Sequence, residues 1–221
     1  ATSNGGGVYV GGSGSTFTMS DTASITDNTA TSNGGGVGVY SGATFEMNGN
    51  ASITDNKATT GNGGGVYEGG GTFNMSGGAS ISRNEATTGN GGGVYVGGGV
   101  LTMSGGSITS NHTPYTTHLR TVDGGGTFER GGEASISGGS ITGNDSNGVF
   151  VWGNATFTVS GAATVKGNTR EGAASNVFLT GSAKITIGGE LTGSPNSIGV
   201  TRGAYLDIAN NVNKDYSGIF F

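Results

Sequence analysis

The side chains able to do chemistry are few and dispersed. The 221 residues include 14 Asp and Glu, nine Lys and Arg, two His and no Cys. Without cysteine there is no disulfide framework and no thiolate chemistry, and either redox compartment is allowed. Asp27 and Asp55 stand 28 positions apart, each in an Ile-Thr-Asp-Asn run. If the chain stacks at that period, the two carboxylates lie about 5 Å apart, the separation a retaining carboxylate pair needs. Arg83 takes the next copy of the position, so the column reads as solvated and partly charge-compensated. Lys57 and Glu85 fall on consecutive copies of a neighbouring position and read as a surface ion pair. No catalytic residue is assigned, and the chain is expected not to be an enzyme.

Both histidines fall in one irregular segment, His112 to Asp123. Insertions on a regular scaffold are where recognition collects. His112, Tyr115, His118, Arg120 and Asp123 are therefore candidate recognition residues, set against the plainer reading of a decorated loop. The spacing of His112, His118 and Asp123 matches no metal-ligand signature, and no metal or other cofactor is expected. Gly5-Gly6-Gly7 and its copies resemble phosphate-cradling loops only in composition, because no Lys-Ser or Lys-Thr and no helix follows. Tyr9, Tyr67 and Tyr95 form a candidate aromatic face, continued by Phe128, Phe150 and Phe178 and interrupted at Gly38 and Gly199. By strand alternation Val8 and Val10 point inward and Tyr9 outward; Glu68 and Glu129 fall in the Val10 column. The face reads either as a sugar or protein platform or as packing between neighbouring rings. Two outward hydroxyl columns, Ser24 to Thr164 and Thr26 to Thr142, resemble the faces of ice-binding solenoids as well as any solvated strand surface.

The elements that position these residues come from a repeat. Asn-Gly-Gly-Gly-Val recurs at Asn4, Asn33, Asn62 and Asn90, with steps of 29, 29 and 28 residues. Each copy is followed by a Thr-Phe-x-Met-like segment and then by Ser-Ile-x-x-Asn. Segments this short cannot form a stable sheet alone. Stacked as a solenoid, each pairs in parallel with its copy about 4.8 Å away. Phe17, Phe45, Phe73, Leu101 and Phe157 then make one apolar ladder, and Met19, Met47, Met75, Met103 and Val159 a second. Ile25, Ile53, Ile81, Ile108, Ile141 and Val165 make the third. Two asparagine columns read as structural amide ladders: Asn28, Asn56, Asn84, Asn111, Asn144 and Asn168, and Asn4, Asn33, Asn62, Asn90, Asn147 and Asn176. The expected fold is all-β, a right-handed parallel β-helix of about eight coils of roughly 28 residues. It covers residues 1–203, with the insert at about 112–123, and leaves 204–221 as a C-terminal cap or the start of a further element.

Composition agrees. The 50 glycines and two prolines exclude collagen, which needs glycine at every third position. No segment has a helical apolar rhythm free of glycine, and no run is long and apolar enough for a transmembrane helix. A net charge of −5 with dispersed cations argues against a nucleic-acid partner.

Gly6, Gly7 and Val8 with Ile25 and Asn28, and their copies, resemble the paired motifs of chlamydial polymorphic membrane proteins. They are also similar to β-helix repeat regions of large surface proteins in gut Firmicutes and treponemes. Here glycine replaces the family alanine, isoleucine replaces the phenylalanine before Asn, and no autotransporter barrel is present. The resemblance implies an extracellular or surface-displayed bacterial adhesin-like segment, with a host or matrix glycan or protein as partner, and implies no enzyme. The chain begins in mid-phase, Ala1-Thr2-Ser3-Asn4 repeating Ala30-Thr31-Ser32-Asn33. That suits either excision from a longer array or copies stacked end to end as a filament.

Overall fold

The computed structural model describes residues 1, 3–114, 124–194, 197–202 and 205–207, and over them every regular element is a strand. Each strand pairs in parallel with its copy one repeat further on, which makes the chain a parallel β-helix. The valine segments, from Val8–Val10 to Val200–Arg202, form one eight-stranded sheet, and the Phe/Met segments, from Thr16–Met19 to Tyr205–Asp207, form another. The isoleucine segments, from Ser24–Thr26 to Thr164–Lys166, form a sheet of six.

Only about six turns of the expected eight are therefore complete. From Met47 to Val66 the chain has 19 positions in which to build the isoleucine strand and its corners, but from Leu191 to Val200 it has nine. That span reduces the third sheet to a single bridge between Val165 and Ile198. After Thr164–Lys166 a two-residue antiparallel hairpin, Thr169–Arg170 with Ala173–Ala174, interrupts the parallel pattern.

The three ladders form one buried core. The fifth rung of the first two, not anticipated from the repeat, is supplied by Ala134 and Ile136, paired with Leu101 and Met103. Phe45 and Phe73 stack at 4.8 Å between ring centres, so the identical register is also a ring-on-ring register.

One asparagine column is the hydrogen-bonded spine. Asn84, 0% exposed, accepts at Oδ1 from the backbone N–H (2.9 Å) and Nδ2 (3.0 Å) of Asn56. Its own Nδ2 reaches Ile53 O in the coil before, Ser82 O in its own coil and Asn111 Oδ1 in the coil after. The pattern repeats from Asn28 to Asn168. The residue before each ladder asparagine takes a left-handed conformation, at Asp27, Asp55, Arg83, Ser110, Gly143 and Gly167. A glycine faces the spine from the opposite wall. A Cβ at Gly65 would lie 2.6 Å from Gly93 O, 3.0 Å from Ile81 Cγ2 and 3.1 Å from Asn84 Nδ2, so no larger residue fits.

The second column runs with opposite polarity. Asn33, Asn62 and Asn90 each donate backbone N–H to Oδ1 of the preceding asparagine, at 3.0, 2.8 and 2.9 Å. Asn147 and Asn176 do not continue it. Asn90 stands four positions before Val94, but Asn147 stands two before Val149 and Asn176 one before Val177. Asn176 instead takes the backbone place of the spine-facing glycine, as Val149 N donating to Asn176 O shows by analogy with Val66 N and Gly93 O. Its Oδ1 accepts from the N–H and Nδ2 of Asn168, at 3.0 and 3.3 Å. It thereby ends the spine, filling the slot a further ladder asparagine would occupy.

Replacing Asn84 by Ala strands two donors of Asn56 and the buried acceptors of Ile53 and Asn111, and should cost about 3 kcal/mol or more. Asn28→Ala, at the start of the spine, should cost only about 1 kcal/mol. Urea unfolding midpoints of the two variants check the order.

Candidate functional site

The outer face of the valine sheet carries the candidate aromatic row, and the structure makes it longer than its sequence signal. Tyr9, Tyr40, Tyr67 and Tyr95 stack in succession at 5.0, 5.2 and 5.2 Å. The row is thus continuous across Gly38, where a break was expected. Tyr40, two residues on and on the same face, leans back over Gly38, whose added Cβ would lie 2.8 Å from Tyr40 Cε2. The other rungs use the reverse order. Tyr95 lies over Gly97, where a Cβ would meet Tyr95 Cε1 at 2.7 Å. Each of these rungs therefore has one ring and one glycine, and the Gly-Val-Tyr order of residues 38–40 is the mirrored signal that pattern reading missed.

Stacking decides what the row can do. Ring faces cover one another, and Tyr95 and Phe150 are buried, so a sugar ring finds phenol edges rather than an open platform. Tyr9 is 59% exposed. Burial raises the Tyr40, Tyr67 and Tyr95 hydroxyls above the usual phenol range, with neighbouring phenols adding to the effect at Tyr40 and Tyr67. Arg130 pulls Tyr95 the other way. Trp152, 42% exposed, extends the face beside Phe150.

The charged residues form columns at the corners. Arg83 clasps Asp55 through Nε and Nη2, at 2.9 and 2.8 Å, so the Asp27–Asp55 pair is compensated as expected. Lys57 and Glu85 pair at 2.8 Å. Burial works against ionisation of Glu85, but Lys57, the Thr87 hydroxyl and His112 together hold its carboxyl below the usual range.

His112 sits in this same column. Its N–H donates to Asn84 O at 2.9 Å, its carbonyl accepts from Ala86 N at 3.1 Å, and its Nδ1 contacts Asp145. Its backbone is thus a rung of the rod. Tyr115, His118, Arg120 and Asp123 lie outside the described residues. Among the described residues no three His, Asp or Glu side chains gather as a metal site.

Glu68 is the one buried acid among the described residues, 0% exposed between Val39 and Val96 of the neighbouring coils. Its carboxylate accepts from the N–H groups of Gly70 at 2.8 Å, Gly99 at 2.9 Å and Gly71. Burial pushes its pKa up to about 7, although these three backbone donors favour the charged form.

Comparison of the chain with family models, curated proteins and solved structures finds no match.

Two predictions follow from this geometry. Because folding raises the Glu68 pKa from 4.5 to about 7, the folded state binds the extra proton between those values. Its stability contribution is full below pH about 4.5 and falls as pH rises to about 7, by on the order of 3 kcal/mol. Glu68→Gln should remove that slope from pH-dependent urea unfolding. At the aromatic row, Gly38→Tyr alone should overpack and cost about 1–3 kcal/mol, and Tyr40→Gly alone should lose two stacking contacts of about 1 kcal/mol each. Combining them rebuilds the ring-then-glycine order, and thermal melts should recover most of the loss.

Proposed function

We propose that this β-helix is a structural display module of adhesin type, presented outside the bacterial cell, that binds an extended hydroxyl-rich polymer along the outer face of its isoleucine sheet. One observation carries the reading. Ser24, Ser52, Ser80, Ser107, Ser140 and Thr164 align in register over all six strands. The hydroxyls of Ser52, Ser80 and Ser107 make no hydrogen bond to other described residues, and serine is not a residue that strands favour. The parallel column Thr26, Thr54, Ser82, Thr109 and Thr142 gives a second row on the same face. Hydroxyls repeated at each rung, about 4.8 Å apart, suit a glycan whose own hydroxyls repeat along its length. The resemblance to surface-protein repeats points to the same setting.

Ser80→Lys with Ser107→Lys tests the display face, because both residues point outward and should change stability by no more than about 0.5 kcal/mol. On a glycan array the unmodified chain should bind and the double variant should not. Binding that survives both substitutions removes this face from the proposal, and release of new reducing ends from a bound polysaccharide replaces display by catalysis.

A further inference from the structure

The chain contains six Asn-Gly pairs, at Asn4, Asn33, Asn48, Asn62, Asn90 and Asn147. Asn-Gly is the dipeptide in which the following backbone nitrogen most easily reaches the side-chain amide carbon, because glycine has no Cβ to hinder it. In that reaction the glycine nitrogen loses its proton and forms a bond to asparagine Cγ, and ammonia leaves with the proton. Water then opens the succinimide at either carbonyl to give aspartate or isoaspartate. No oxidant, reductant or catalyst is needed.

Both reacting groups are held in four of the pairs. The amides of Gly5, Gly34, Gly63 and Gly148 donate to carbonyls of the next coil, Asn33, Asn62, Asn90 and Ser175, each at 2.9 Å. The side-chain oxygens of Asn4, Asn33 and Asn62 accept from the backbone N–H of the next ladder asparagine, and that of Asn147 accepts from Ser175 Oγ. At Asn90 the carbonyl accepts from Gly63 N at 2.9 Å and Nδ2 donates to Asn62 Oδ1 at 3.3 Å, while Oδ1 is buried without a partner among the described residues.

Asn48–Gly49 differs in each respect. It forms the corner between the Phe/Met and isoleucine sheets, with Asn48 N donating to Met19 O and Asn48 O accepting from Ala51 N. Neither the Asn48 side-chain amide nor the Gly49 N–H has a hydrogen-bond partner among the described residues. Gly49 is exposed, at a φ of +63°. In the same place after the methionine, neighbouring coils carry Ser20, Ser76 and Ser104, so asparagine is not required there by the fold.

We propose that Asn48 is a built-in deamidation site, where the rod spontaneously exchanges a neutral amide for a carboxylate while hydrogen bonds between coils protect Asn4, Asn33, Asn62 and Asn147. Reaction at a protected pair requires local opening that breaks at least two hydrogen bonds. Asn48 should therefore convert about tenfold faster or more in the folded protein.

The test is incubation of the folded chain in mildly alkaline buffer, followed by acidic digestion, peptide mass mapping and enzymatic isoaspartate labelling. The expected result is early conversion at Asn48, with Asn33 and Asn62 reacting at comparable rates only when the chain is held in denaturant. Asn48→Ser should abolish the early signal without shifting the urea midpoint. Folded-state conversion of Asn33 or Asn62 as fast as Asn48 overturns the proposal. So does protection of Asn48 to the same degree as the ladder pairs.

Discussion

The amide of a buried ladder asparagine is the contact around which the rest of the chain is arranged. At Asn84 the oxygen takes two donors from the coil before, and the nitrogen serves acceptors in three successive coils. Only asparagine can do this. Aspartate has no donor, glutamine carries one methylene too many, and alanine leaves buried backbone groups unpaired. The arrangement then dictates its surroundings. The preceding residue turns left-handed to aim the side chain inward, the isoleucine two positions before that offers its carbonyl to the next coil, and the opposite wall must be glycine. A one-residue slip of register would break every one of these bonds and turn the isoleucines outward.

A column of this kind has to stop somewhere, and the way it stops is informative. Each Oδ1 is needed by the coil before it, so the last asparagine must find a substitute acceptor. Asn176 provides one from the glycine wall, and this is compatible with a wall position because no further spine amide competes for the space. The interior shows the same economy with Glu68. A carboxylate in a valine column would be costly on its own, yet it satisfies three glycine N–H groups in the turns of two successive coils. The buried hydroxyls of Thr113 and Thr127, in contrast, have no such partner among the described residues. Both flank the irregular fifth coil, where the repeat is least regular in sequence too.

Periodicity made most of the fold legible. The in-register ladders, the Lys57–Glu85 pair and the compensation of Asp55 by Arg83 all follow from counting positions. Counting failed where a side chain serves a column other than its own. Tyr40 fills the rung of Gly38, Asn176 serves the spine from the wall, and His112 belongs to the corner column although it opens an insertion. In each case the backbone position and the position of the functional atoms differ by a side-chain length, which one-dimensional spacing does not record. The number of complete turns was overestimated for a different reason. The valine and Phe/Met motifs persist after the chain has become too short to build the third strand between them, so two rungs were counted from two sheets.

The contrast between two outward columns bears most directly on what the rod does. The corner position before the spine reads Asp, Asp, Arg, Ser, Gly and Gly from Asp27 to Gly167, so successive coils have diverged freely where only backbone conformation matters. A few residues away, the outward position of the isoleucine strand remains Ser in five coils and Thr in the sixth. Recent duplication of the repeat does not account for this, because the neighbouring column would then be uniform as well. Packing does not account for it either, because these side chains face away from the core, and strand preference would choose threonine, valine or isoleucine over serine. A small hydroxyl kept at every rung is the pattern on which the proposed contact face rests. The asparagine spine makes such a surface possible, since it secures the register from within and leaves the outer face free of any structural duty.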